Sequence, residues 1–178
     1  MANEAGQLRE EGLKRFRDGM YPEALASFSQ ARDALLAAGD RSGAAEIINN
    51  IGVIHRIERR KADAIAALSE ARALFEELGN QSQIAQTLGN LGSLYARERE
   101  PAEAVRCYRQ AIDLFAGLGD GERQGQTLQA LSSVYRQLGE WSQALATYAA
   151  GVSALRHPSV FQRLLRWLFT SALGALNH

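Results

Sequence analysis

Apolar and polar positions recur along this chain with a helical spacing, and the whole pattern then repeats every 40 residues. Over 42–57, Ile48, Ile51, Gly52 and His55 share one helical face. Glu46, Asn49, Asn50, Val53 and Ile57 share the opposite face, at about 100° per residue. A second helix is predicted over 62–78, with Ala64, Ile65, Leu68, Ala71, Leu74 and Phe75 as its core stripe. The same pair returns up and down the chain. Gly12, Gly52 and Gly92 are 40 apart, with Ser132 completing the series, and Ala24, Ala64, Ala104 and Ala144 form another. A fixed period of this size predicts stacked helical hairpins, with copies at about 1–40, 41–80, 81–120 and 121–157.

The punctuation agrees with that reading. Glu23, Asp63 and Glu103 put negative charge in the first turn of successive second helices, where it complements the helix dipole. Pro22 and Pro101 fall at early helical positions, which tolerate a missing N–H. Gly39, Gly79 and Gly119 are placed to end the second helices in left-handed geometry, and Asp40, Asn80 and Asp120 to cap the helices that follow. The glycines at 12, 52 and 92 lie inside helices, where each costs about 1 kcal/mol relative to alanine. Taken at one register in three copies, that cost predicts close approach of paired helices, with the alanines at 24, 64, 104 and 144 as the matching small residues.

These positions resemble the tetratricopeptide repeat in a long, 40-residue form, over about 150 residues. Its small residue lands on Gly12, Gly52, Gly92 and Ser132, and its first alanine on Ala24, Ala64, Ala104 and Ala144. The aromatic or leucine of the second helix lands on Phe28, Leu68, Tyr108 and Tyr148. Ala31, Ala71 and Ala111 match its next alanine, where Gly151 departs. The first-helix tyrosine appears at Tyr95 and Tyr135 but is replaced by Arg15 and His55. The asparagine-glycine strings around 49–52 and 89–92 are similar to kinesin light chain and to bacterial peptide-sensing regulators of this class. The resemblance implies an all-α fold: a right-handed α-solenoid of four hairpins plus a C-terminal capping helix.

In such arrays the first helices line the concave wall, so the face opposite the core is the candidate binding surface. It carries Asn49, Asn50, Asn90, Gln126 and Gln129, flanked by Arg56, Arg97 and Arg136, with Arg17 at the same edge in the first copy. An amide offers donors and an acceptor to an extended peptide backbone, and guanidinium groups pair with carboxylates. The resemblance implies the peptide-holding role for Asn50 and Asn90 in particular; the first and last copies have Glu10 and Ala130 there. The expected ligand is an extended, acidic peptide.

Residues 158–178 form a separate segment after Pro158, expected to be a ninth helix. Phe161, Leu165, Trp167 and Phe169 make it apolar over much of its circumference. Three readings stay open for it: a solubilising cap, a homo-oligomer contact, or peripheral membrane contact. The alternative function is therefore a self-assembling or membrane-complex scaffold acting through this helix.

Composition narrows the remaining classes. Twenty basic residues balance 20 acidic ones, so no overall field favours nucleic acid. The single Cys107 and three histidines give no metal-ligand spacing. No phosphate-cradling glycine loop is present, and no catalytic residue, metal or cofactor is expected. The start shows no basic-then-apolar leader, so a cytoplasmic setting is the expectation.

Overall fold

A computed structural model describes residues 2–155 of the chain, and the expected helix at 158–178, with Phe161, Leu165, Trp167 and Phe169, lies outside them. The described residues are eight helices joined by tight turns: α1 (Ala2–Arg17), α2 (Tyr21–Ala37), α3 (Arg41–Ile57), α4 (Lys61–Glu77), α5 (Gln81–Arg97), α6 (Pro101–Gly117), α7 (Gly121–Gln137) and α8 (Trp141–Ala154). Each connection is three residues long, which folds neighbouring helices back on one another. The chain divides into two compact units, one ending at Asn90 and the other beginning at Leu91, so the boundary falls within α5.

All seven connections among the described residues end in the same way. The residue after the C-cap bonds to the carbonyl three before it, and the next residue bonds five back, as in Gly19 N–H to Phe16 and Met20 N–H to Arg15. This double bond is the Schellman motif, and it needs a left-handed residue at its centre. Gly39, Gly79 and Gly119 fill that place with φ of 76°, 65° and 67°, as their positions in the sequence predict. Gly19 and Gly139 do the same after α1 and α7. After α3 and α5, however, the residue is Arg59 (φ 62°) or Arg99 (φ 60°). Their shorter-range bonds, 3.3 and 3.4 Å, are longer than the 3.0–3.1 Å at the glycine turns. A β-carbon in this region strains the turn.

The opposite helix ends follow the predicted chemistry. Asp40 accepts the Gly43 N–H at 2.8 Å, Asn80 the Gln83 N–H at 3.2 Å, and Asp120 the Arg123 N–H at 2.9 Å. Second helices have no such cap at Met20, Arg60, Glu100 or Glu140. Three of the four begin instead with acidic first turns, at Glu23, Asp63 and Glu103, and α8 has none.

In the first unit, α2 packs on α1 and α3, and α4 on α3. Burial on two sides explains why α3 hides more than the single face read from its sequence. Ala44, Ala45, Ile47 and Ile54 are buried along with Ile48, Ile51 and Gly52, whereas His55 is only half-buried. The predicted stripe of α4 is buried at Ala64, Leu68, Ala71 and Phe75, joined by Ala67, while Ile65 and Leu74 are half-buried. Arg15, standing where later copies have tyrosine, reaches α2 and donates to Ser27 Oγ at 2.8 Å.

In the second unit, α7 packs against α6 and α8 around Ala104, Tyr108, Leu131, Val134, Tyr135 and Ala144. Arg109 donates to the Tyr135 hydroxyl at 2.8 Å, and Arg123 lies 4.8 Å over the Phe115 ring. Gly151, the residue that departs from the alanine series, lets α8 close on Gly125. A β-carbon at Gly151 would sit 3.0 Å from the Gly125 carbonyl oxygen.

The helix-interior glycines do mark close approach, but their partners differ from the expected alanines. A β-carbon at Gly12 would lie 2.5 Å from the Phe28 ring, one at Gly52 2.7 Å from Leu68 Cγ, and one at Gly92 2.7 Å from the Tyr108 ring. The large residue four positions after each alanine is what fills the space. In the fourth copy Ser132 replaces glycine, and its hydroxyl donates to the Ala144 carbonyl at 2.7 Å.

Candidate functional site

The candidate residues divide between the two units. In the first, Asn49, Asn50 and Arg56 stand half-buried on α3, and Asn90 half-buried on α5. Asn90 Nδ2 donates to Asn49 Oδ1 at 3.1 Å. The buried Thr87 hydroxyl lies 3.2 Å from that same oxygen and 2.9 Å from the Gln83 carbonyl. Asn49 and Asn90 therefore hold α3 and α5 together across the first-helix face. On the same face Arg9 of α1 pairs with Glu46 of α3 at 2.8 Å.

Asn50 is placed differently. Its side chain makes no hydrogen bond among the described residues, and it borders a cavity of about 80 Å³ with Leu13, Phe16, Phe28 and Val53. An amide thus stands beside a small apolar recess formed by α1, α2 and α3.

In the second unit, Gln126 is exposed and donates to Glu122 Oε1 at 3.0 Å on its own helix. Gln129 is half-buried, with Cγ 3.3 Å from where a β-carbon on Gly151 of α8 would be. Arg136 is exposed and donates weakly to Ser133 at 3.5 Å. Arg97 lines a cavity of about 550 Å³ made by the end of α5, the start of α6 and the end of α7. Gln126, Gln129 and Arg136 have these separate neighbours, and none of them is among the described residues that line the cavity with Arg97.

Titrating groups add little chemistry here. Burial lowers the His55 pKa from 6.5, with Arg60 acting in the same direction and Asp63 and Glu58 opposing it. Its Nδ1 is buried without a hydrogen-bond partner among the described residues. Burial likewise raises the Tyr95 hydroxyl, helped by Cys107 nearby. Among the described residues no cluster of His, Cys, Asp or Glu could hold a metal ion, and no helix is long and apolar enough to cross a membrane.

Sequence reasoning missed Thr87, Arg99, Pro101 and Leu138. Thr87 is a buried polar residue inside α5, Arg99 and Leu138 come from turns, and Pro101 is the first residue of a helix rather than part of a helical face. One signal was available: Arg59 and Arg99 interrupt a turn-glycine series that Gly19 and Gly139 bracket at the same period.

Comparison with known proteins places this geometry. Residues 83–156 match the sequence model of the tetratricopeptide repeat. The curated proteins include none that matches the chain. Among solved structures, it is similar to BtubC (BKLC) from P. vanneervenii, with TM-score 0.77 and 22% identity over 87% of this chain and 66% of that one. It is similar to MamA at TM-score 0.65 and 20% identity, covering 86% and 79% of the two chains. Kinesin light chain-like repeats from Podosopora anserina give TM-score 0.70 and 15% identity, over 95% and 86%. Residues 83–156 are thus a tetratricopeptide-repeat segment, and the chain carries the all-α tetratricopeptide-repeat fold.

Proposed function

We propose that this chain is a non-enzymatic protein–protein interaction adaptor that binds an extended, acidic peptide on the exposed face of its first helices. The observation that carries the reading is Asn50: an amide with no hydrogen bond among the described residues, beside the recess of Leu13, Phe16, Phe28 and Val53. Such an amide can donate to a peptide carbonyl and accept from a peptide N–H, while the recess takes a small apolar side chain. The Asn49–Asn90 pair supports the reading by fixing the wall beside it, so binding need not order those side chains. Stacked hairpin repeats use surfaces of this kind for partners.

The test is Asn50→Ala, because that change removes the free amide without touching the Asn49–Asn90 bond. Affinity for acidic peptides selected against the wild-type chain should fall about tenfold, the size of one well-made hydrogen bond lost. Thermal stability should stay put. Peptide binding that is indifferent to Asn50→Ala, or unaffected by salt, would remove the proposal.

A further inference from the structure

A second cavity lies at the turn edge of the second unit. At about 550 Å³ it falls in the range of ligand-binding pockets, and its walls combine two chemistries. Pro101, Val134 and Leu138 supply apolar surface, and Leu138 remains 45% exposed. Arg97, Arg99 and Gln137 supply donors. Arginine and glutamate alternate through 97–100, yet only the arginines line the cavity. Two guanidinium groups, with no carboxylate lining the cavity among the described residues, favour an anion.

The backbone adds a second observation. Arg99 holds φ at 60° in a turn where Gly19 and Gly139 serve other copies without strain. Strain alone does not define a site, since Arg59 shares it at 62°. At Arg99, however, the strained residue is also part of a cavity wall.

We infer that this cavity binds an acidic polypeptide segment, with an aliphatic side chain against Pro101, Val134 and Leu138 and a neighbouring carboxylate on Arg97 and Arg99. The inference rests on the proposed function for the class of ligand only; the residues and the unit are different. Nucleic acid fits less well, because among the described residues the lining offers no aromatic ring for base stacking.

Fluorescence polarisation with a labelled peptide carrying one leucine between aspartates tests it directly. Arg97→Gln and Arg99→Gly should each weaken binding about tenfold, as should leucine-to-serine or aspartate-to-asparagine changes in the probe. Arg99→Gly carries its own control, because it relieves the turn: melting temperature should rise while affinity falls. Arg59→Gly should raise melting temperature equally and leave affinity alone. The inference is overturned if the arginine variants bind like wild type, or if the intact chain binds the peptide more weakly than about 1 mM. It is equally overturned if a single-stranded oligonucleotide is what the arginine variants lose. Loss with Asn50→Ala but not with the arginine variants would keep the α1–α3 reading and discard this one; the reverse would discard that reading and keep this one.

Discussion

Two glycines three residues apart on α5 should respond to alanine in opposite directions. A β-carbon at Gly89 would meet nothing within 4 Å, whereas one at Gly92 would lie 2.7 Å from Tyr108 Cδ1 and 2.8 Å from Cε1. Both sites gain about 1 kcal/mol from the better helix propensity of alanine. Gly89→Ala should keep that gain. Gly92→Ala must also displace a ring root 3.0 Å away at Cγ in a buried setting, and overpacking of this kind costs about 1–3 kcal/mol. The two variants should therefore differ by about 1–3 kcal/mol, or roughly 2–12 °C in melting temperature for a protein of this size. Urea denaturation with unchanged m-values is the measurement. A third variant ties the effect to its cause: with Tyr108→Ala in the background, the penalty at Gly92 should vanish, giving a coupling energy of similar size. If Gly92→Ala stabilises as much as Gly89→Ala, the close-approach account of the repeating glycines is wrong.

Three further outcomes follow from the same geometry. Asp40→Ala removes the bond to the Gly43 N–H and should cost about 1 kcal/mol by chemical denaturation; Asn at this position should restore most of it. Arg59→Gly should stabilise by about 1 kcal/mol, because the left-handed turn no longer carries a β-carbon, and a loss of stability would contradict the strain argument. His55 has a folded pKa below its ordinary 6.5, so the unfolded chain binds the proton more readily. Its contribution to stability should then rise with pH from the lowered folded value up to 6.5 and be lost as pH falls through that window. His55→Tyr, which restores the residue type found at Tyr95 and Tyr135, should flatten that part of the stability–pH curve.

The two proposed binding sites place different demands on sequence reading. Asn50 was legible because it lies on a helical face opposite a core stripe, a relation set by turn geometry alone. Its neighbour Asn49 was legible as a face residue too, but not as the acceptor of Asn90, since that bond depends on how α3 meets α5. Glu46 was legible as a face residue too, but its ion pair with Arg9 joins two helices and depends on how they meet. The cavity beside Arg97 draws on three elements, so no window of sequence contains it.

By itself the sequence determined the helices, their ends and the repeat. α3 and α4 begin within one residue of the positions read from periodicity, and Asp40, Asn80 and Asp120 cap as their place before a helix requires. These outcomes depend on interactions spanning three to five residues, and such interactions are written in order along the chain. Tertiary structure alone decided that Gly12, Gly52 and Gly92 receive Phe28, Leu68 and Tyr108 rather than the alanines, that Asn49 accepts from Asn90, and that Arg99 borders a cavity. Those contacts depend on helix crossing and side-chain rotamer, where a shift of an ångström changes the partner, and neither quantity is carried by local spacing.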